Sequence, residues 1–341
     1  MTIRVAVIGA GIMGADHARI IATELPGAEL RWICDADEAR ARSVADATGA
    51  RQVSKDPLAT IAADDVDAVL IASPDLTHAE LTLACLRARK PVLCEKPLAP
   101  SSAECLRVLQ AESALGKQLV QVGYMRRFDP AYVEMKARST QSGIGAPIMM
   151  HNFHRNVSVP TYFTGQMAVT NSAPHEFDIA RFVLGTEYSA VSAFQPTRSV
   201  PGQGVGPVFM VLRTAAGQLV NIEINNNAGY GYDVRCELVC ERGAIALRAP
   251  AHTETHLNLG ATTGYAPDWR PRFEQAYRIQ DLAWLRSIES GVPAGANAWD
   301  GYVSSHTAER AVEALQGGRE VEIRCAEQPA IYRRQDAVGA L

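Results

Sequence analysis

Residues 3–14 constrain the fold more than any other stretch of the chain. An apolar run, Ile3-Arg4-Val5-Ala6-Val7-Ile8, leads directly into Gly9-Ala10-Gly11-Ile12-Met13-Gly14, and an amphipathic stretch from Ala15 to Leu25 follows. A second apolar run, Ala28-Glu29-Leu30-Arg31-Trp32-Ile33, ends at Asp35, 21 positions after Gly14. Three glycines at this spacing mean little alone, because glycine occurs in most turns. Between a strand and a helix each has a separate task. Gly9 permits a tight turn, Gly11 lets the main chain approach a pyrophosphate, and Gly14 lets helix and strand pack closely. The helix start at Ile12 and Met13 offers unpaired N–H groups and the positive end of a helix dipole to phosphates. The spacing therefore predicts a dinucleotide-binding βαβ unit.

Asp35 then discriminates between nicotinamides. A carboxylate there accepts from the ribose 2′-hydroxyl and repels a 2′-phosphate. Ala36-Asp37-Glu38 adds negative charge and no immediate arginine, while Arg40 and Arg42 come later. NAD is expected in preference to NADP.

Strand and helix patterns alternate through the first ~120 residues, as in doubly wound α/β domains. Strands are expected at 3–8, 28–34, 67–72, 91–94 and 118–122. The run Val66-Asp67-Ala68-Val69-Leu70-Ile71-Ala72 is nearly all apolar, as a strand covered on both faces should be. After about residue 145 strand-like runs follow one another at 147–153, 188–195, 206–214, 218–226, 232–240 and 243–249, with Gly-containing turns between several of them. Consecutive strands without intervening helices imply an antiparallel sheet. A helix at 174–184 precedes this series and helices at 272–290 and 299–316 follow it. The expected fold class is an α/β Rossmann doubly wound parallel sheet plus a C-terminal α+β domain with a large open, mainly antiparallel sheet. Expected boundaries are 1–124 for the NAD-binding domain, 125–325 for a substrate-binding and oligomerisation domain, and 326–341 for a tail.

The chain has 341 residues with 47% hydrophobic content, enough for two domains with sizeable cores. Its net charge of −4 gives no electrostatic case for nucleic acid or an anionic membrane. Seven cysteines are scattered, and the nearest pair, Cys236 and Cys240, lies in a strand-like run with no second pair to complete a metal site. They read as reduced core thiols, and no metal is expected. No apolar run approaches the ~20 residues of a membrane span, and the first strand leaves no room for a leader, so the expectation is a soluble cytoplasmic protein.

Glu95-Lys96-Pro97 directly follows the strand 91–94, at the carboxyl edge where open α/β sheets bind ligands. A lysine there can donate to a hydroxyl or carbonyl oxygen and favour deprotonation of a bound alcohol. Taken alone, the motif reads as an exposed loop lysine paired with its glutamate. After such a βαβ unit, however, it is a signature. The chain resembles the glucose–fructose oxidoreductase/inositol dehydrogenase/MocA-like family of NAD(P)-dependent sugar and polyol oxidoreductases, over roughly residues 3–325, and more narrowly its inositol dehydrogenase branch. The stretches that carry the resemblance are Gln121 to Asp129, His151 to Asn156, Tyr230-Gly231-Tyr232-Asp233, Arg272-Phe273 with Ala276-Tyr277, and Ala298-Trp299-Asp300-Gly301-Tyr302.

The resemblance implies a hydride acceptor, NAD, in the first domain and a polyol held against its nicotinamide by the second. The matching substrate positions are Lys96, Arg126, His154, Asn156, His175 and Tyr232, with Tyr230 beside them and Asn171 at a further substrate position where this chain departs from the family. A cyclitol is a ring of hydroxyls, and His, Asn, Tyr, Arg and Lys supply the donors and acceptors it needs. On the cofactor side the resemblance adds Ser73, Thr77, His78, Glu95 and Lys96 to the glycine turn, with Thr77 or His78 expected at the nicotinamide ribose. His78 reads equally as a helix start. His175, after Pro174 at a helix start, is the implied general base, because an imidazole can accept the alcohol proton as hydride leaves the same carbon.

The family usually has Asp four residues before this His, and here the position is Asn171. Three readings stand: Asn171 contacts a substrate hydroxyl in an enzyme of shifted regiochemistry, Asp178 supplies the missing charge or forms an ion pair, or the protein is a weakened or non-catalytic member. The favoured expectation is oxidation of myo-inositol or a close isomer to an inosose by NAD. A pyranose sugar, glycoside or anhydrosugar is the rival substrate, and a regulatory NAD-binding protein the rival of another class. The broad second sheet points to a homo-oligomer, a dimer or tetramer. His252 and His256 read as surface histidines of a loop that could equally order near the site, Asp281 as a solvated or salt-bridged helix-face residue, and Trp269, Trp284 and Trp299 as core aromatics.

Overall fold

The structure, a computed structural model, describes residues 2–141, 143–197, 206–248 and 254–333. Two compact units emerge: residues 1–125, 277–305 and 325–341 form one, and residues 126–276 and 306–324 the other, taking the described residues of each. Tyr277–Ser305 and the chain from Cys325 thus group with the dinucleotide unit, whereas the sequence reading assigns 125–325 to a second domain.

The first unit contains, in chain order, β1 (Ile3–Ile8), α1 (Ile12–Glu24), β2 (Ala28–Cys34), α2 (Glu38–Thr48), β3 (Gln52–Ser54), α3 (Pro57–Ala62), β4 (Ala68–Ile71), α4 (His78–Arg87), β5 (Val92–Cys94), α5 (Ser102–Leu115) and β6 (Val120–Val122). The six strands form a parallel sheet in the order β3-β2-β1-β4-β5-β6, so the strand order reverses beside β1, the position where such folds bind nucleotides. β4 is buried at every residue, which explains its unbroken apolar sequence. Helix ends follow local rules. The Asp37 carboxylate accepts from the Ala39 and Arg40 N–H groups at the start of α2, the Ser101 hydroxyl accepts from Glu104 N at the start of α5, and Gly116 closes α5 in the left-handed region at φ +67°. β3 was not foreseen: it is three residues of an edge strand, half exposed and without an apolar run.

The second unit begins with α6 (Pro130–Ser139) and β7 (Pro147–Arg155). A short turn α7 (Gly165–Met167) runs through a π-helical segment, Ala168–Ser172, into α8 (Pro174–Leu184). Then come β8 (Tyr188–Phe194), β9 (Val208–Thr214), β10 (Leu219–Asn225), β11 (Asp233–Cys240) and β12 (Gly243–Ala246), with a small hairpin of β13 (Thr255–Leu257) and β14 (Gly260–Thr262). The seven-stranded sheet runs β12-β11-β7-β10-β9-β8-β15, the last being β15 (Val321–Glu322). It is antiparallel except where β7 and β10 pair in parallel. In β9 burial alternates strictly, with Val208, Met210, Leu212 and Thr214 on the core face. Helices α9 (Trp269–Ser290) and α10 (Ala298–Gly317) contain the divisions between units, at Tyr277 and His306.

None of the seven cysteines, all of them among the described residues, forms a disulfide, and Cys236 and Cys240 are buried in β11. Trp284 and Trp299 are core residues. Among the described residues no helix is long and apolar enough to cross a membrane, and no group of His, Cys, Asp or Glu is placed to hold a metal ion. His252 lies outside the described residues.

Candidate active site

In the first unit the carboxyl ends of β1, β4, β5 and β6 place four loops along one edge of the sheet. After β1, Gly9 adopts φ +97°, and a Cβ there would strike the Ala72 carbonyl and the Ser73 nitrogen. A Cβ on Gly14 would land on the Gly9 carbonyl, whereas one on Gly11 would meet nothing within 4 Å. Gly9 and Gly14 therefore let the turn close, and Gly11 leaves a clear approach to the main chain. Helix α1 has no side-chain cap and no acidic residue in its first turn, with Ile12 exposed. Its N–H groups and dipole suit a diphosphate.

The Asp35 carboxylate is held by the Ala10 N–H at 2.7 Å and the Asp37 N–H at 2.9 Å. Arg40 reaches back to it, Nη2 to Oδ1 3.4 Å. The chain folds back into the first turn of α2, the condition under which this arginine can reach. The Ser73 and Thr77 hydroxyls bond each other at 2.6 Å, and Thr77 is exposed. His78, expected at the ribose, is instead fully buried: Nδ1 lies 2.6 Å from the Pro97 carbonyl and Nε2 2.8 Å from that of Ser73. Carbonyl oxygens only accept, so both ring nitrogens donate and the ring is an imidazolium. Burial alone would lower its pKa, but Cys94 and the two carbonyls outweigh it and push it up to about 10. His78 ties the loop after β4 to the loop after β5 and keeps no face for a ligand. Lys96 is half-buried, and its peptide bond to Pro97 is cis. Glu95 is buried against Gly123, where any Cβ would collide with its carboxyl group.

In the second unit, Pro174 starts α8 and places His175 in its first turn, 8% exposed. The His175 ring lies 6.5 Å from that of His154 on β7, which in turn meets Tyr232 edge-on at 5.8 Å. His154, His175 and Tyr232 are thus brought together from a strand, a helix and the loop before β11. Burial pushes the Tyr232 phenol up, keeping it a neutral donor. Asn156, just past β7, donates to Asn226 Oδ1 at 2.5 Å, and the Ser172 hydroxyl donates to the same oxygen at 3.2 Å. Asn171 is exposed on the π-helical turn and accepts from the Thr170 hydroxyl at 2.7 Å. Tyr230 is also exposed, donating to Asp233 at 2.5 Å and accepting from Arg155 at 3.0 Å.

Arg126 is the most deeply buried of the expected substrate residues. It is 1% exposed and ion-paired with the fully buried Glu176, with Phe273 beneath it, so it faces the interior. Glu176 also lies 3.1 Å from His154 Nδ1. Burial would raise the Glu176 carboxyl, but Arg126 and His154 hold it below the usual carboxylate range. Sequence reasoning missed Glu176 as the residue that orients His154, because its partners lie 22 or more positions away. Asp178 forms a bidentate pair with Arg127 at 2.6 and 2.9 Å, the ion-pair alternative for that residue. Arg126→Leu leaves Glu176 buried against a neutral side chain and is expected to destabilise the protein by about 3–5 kcal/mol, since one partner of a buried pair is lost. Arg126→Leu with Glu176→Gln should recover much of that in urea unfolding, whereas equal losses in both would place the strain elsewhere.

Two family models match the chain. Residues 3–124 match the oxidoreductase family model with an NAD-binding Rossmann fold, and residues 132–246 match the Gfo/Idh/MocA C-terminal domain. The chain belongs to the Gfo/Idh/MocA oxidoreductase family. Its first unit is that family's NAD-binding Rossmann domain. Among its relatives, inositol 2-dehydrogenase 2 of Saccharopolyspora erythraea is 47% identical over 97% of this chain and 98% of its own length. Inositol 2-dehydrogenase 1 of the same organism is 44% identical over 97% and 99%. The crystal structure of myo-inositol dehydrogenase from Lactobacillus casei in complex with NAD(H) and myo-inositol superposes with a TM-score of 0.92 at 29% identity, covering 98% of this chain and all of that one.

Proposed function

We propose that this family member is an NAD-dependent dehydrogenase that oxidises one ring secondary hydroxyl of a cyclitol, myo-inositol or a close isomer, to an inosose. The observation that carries this reading is the 47% identity, across 97% of the chain, to a protein named inositol 2-dehydrogenase. The gathered His154, His175 and Tyr232 support it chemically. They offer donors and acceptors for hydroxyls, while the ionic groups beside them, Arg126 and Glu176, pair with each other inside the core.

Bound NAD supplies the hydride acceptor. His175 accepts the hydroxyl proton as the C–H bond breaks, Lys96 donates to the reacting oxygen, and His154, Asn156 and Tyr232 fix the ring through its other hydroxyls, with Asn171 and Tyr230 at the periphery. Gly9 to Gly14 hold the diphosphate, Asp35 takes the adenine-side ribose, and Ser73, Thr77 and Glu95 line the cofactor. Asp35, held by two N–H groups, disfavours a 2′-phosphate even with Arg40 nearby, so NAD is the preferred nicotinamide. The open face of the second sheet carries Phe194, Phe209 and Leu219 exposed, which supports a homo-oligomer.

The test is NADH formation with NAD or NADP across inositols, aldoses and glycosides, at neutral and alkaline pH because the oxidation releases a proton. Turnover of an inositol with NAD supports the reading, and turnover only of pyranoses overturns it. Asn171 can orient the base but brings no charge to the imidazolium. Where an Asp serves that purpose in a catalytic triad, its amide costs ~10⁴ in turnover. Asn171→Asp is therefore expected to keep or raise kcat. A fall in kcat with a raised KM would instead make the Asn171 amide a substrate contact.

A further inference from the structure

Two carboxylates meet one imidazole in the interior of the first unit. His17, one turn past Gly14 on α1, is fully buried. Its Nδ1 lies 2.7 Å from Asp281 Oδ2 on α9, and its Nε2 lies 3.1 Å from Glu95 Oε1 at the end of β5. Carboxylates accept at both nitrogens, so the ring carries both protons. The other oxygen of Glu95 accepts the Lys96 N–H at 3.1 Å. Glu95 cannot swing away on its far side, because it is packed against Gly123. Tyr277 meets the His17 ring edge-on at 5.7 Å, and Gln280 donates to the second oxygen of Asp281 at 3.4 Å. A continuous path of polar contacts therefore runs from Asp281 through His17 and Glu95 to the main chain of Lys96, anchored on the helix that begins at the glycine turn.

We propose that His17 and Asp281 are positioning residues for Lys96, clamping Glu95 so that the Glu95–Lys96 segment keeps a fixed place relative to the dinucleotide-binding helix. This rests on the role of Lys96 given above. Stability alone does not account for the array. Desolvating one cation and two anions offsets most of what their attraction returns, and apolar side chains of similar volume would stabilise the interior as well. A buried, fully bonded ion array supplies direction: each contact has one length and one angle. Burial would strip the proton from His17, and it lifts Asp281 as well; the charge of Asp281, with its hydrogen bond and that of Glu95, prevails and pushes His17 up to about 10. His17 therefore keeps its second proton across the neutral range. Displacement of a reacting group by about 1 Å costs about 10²-fold in rate, so a relaxed Glu95 would be felt in turnover.

The experiment compares His17→Gln with Asp281→Asn, which keeps the shape of its side chain and guards against a failure to fold. Three readings are taken on the full chain: kcat with the inositol that the wild type uses, NADH affinity by fluorescence, and the rate of reductive methylation of each lysine by peptide mass spectrometry. The expected result is a kcat lower by about 10–100-fold with little change in KM or NADH affinity, and a Lys96 labelling rate altered several-fold while exposed Lys55 and Lys117 keep theirs. Wild-type kcat and Lys96 labelling in both variants would overturn the proposal. So would a parallel loss of kcat, NADH affinity and selectivity of labelling at all lysines, which marks a merely structural role. If the wild type oxidises no inositol, the functional reading fails, and Lys96 labelling still decides whether the clamp positions that residue.

Discussion

Replacing His175 by alanine is expected to lower kcat for inositol oxidation by about 10²–10⁴-fold, the range supplied by a positioned general base, with NADH affinity unchanged. The reason lies in how α8 begins. Pro174 has no N–H to lose at the first helical position and its φ is already helical, so it starts the helix cleanly and places His175 in the first turn. His175 is 8% exposed and so is held mostly among protein groups. His154 and Tyr232 beside it remain after the substitution and still bind hydroxyls, so KM should change less than kcat. Steady-state kinetics and an NADH titration check this. A kcat within a factor of a few of the wild type would remove His175 from the role of base and move attention to Lys96.

Gly14→Ala is the second large effect, and it should abolish both NADH binding and much of the stability. A Cβ at position 14 lands on the Gly9 carbonyl oxygen, a main-chain atom, and Gly9 has no room to retreat because it already abuts the Ala72 carbonyl and the Ser73 nitrogen. Relief requires α1 to move off β1, opening the turn that holds the diphosphate. Overpacking of this kind costs about 1–3 kcal/mol or more. Gly11→Ala is the contrast. Position 11 has φ −71°, and a Cβ there meets no protein atom within 4 Å. The protein should fold with an unchanged Tm yet bind NADH more weakly, because the methyl occupies the approach to the main chain. Thermal melts with and without NADH separate the two. If Gly11→Ala bound NADH as the wild type does, the diphosphate would not pass over that residue.

Much of the fold was legible because its signals are local. The strand, glycine turn and helix at 3–24 are contiguous. Asp37, Ser101 and Gly116 cap helices through bonds to residues a few positions away, and β9 alternates with the period of its own backbone. β3 escaped because a three-residue edge strand carries no apolar pattern. Among the site residues, type was legible and burial was not. Arg126 reads as a ligand-binding arginine until the fold places Glu176 against it and seals both from solvent. His78 reads as a ribose contact or a helix start, and it begins α4 with carbonyl oxygens on both ring nitrogens. Asp281 reads as a solvated or salt-bridged helix-face residue, and it pairs in the interior with a histidine 264 positions away.

The sequence by itself determined the dinucleotide turn, the parallel and antiparallel sheets and the residue types available for chemistry, since backbone geometry and hydrophobic period depend on near neighbours. Only the tertiary structure decided that Tyr277–Ser305 packs with the dinucleotide unit, which charges are buried, and which histidines hold a second proton. Those properties depend on partners distant along the chain, and on the water that their contact removes.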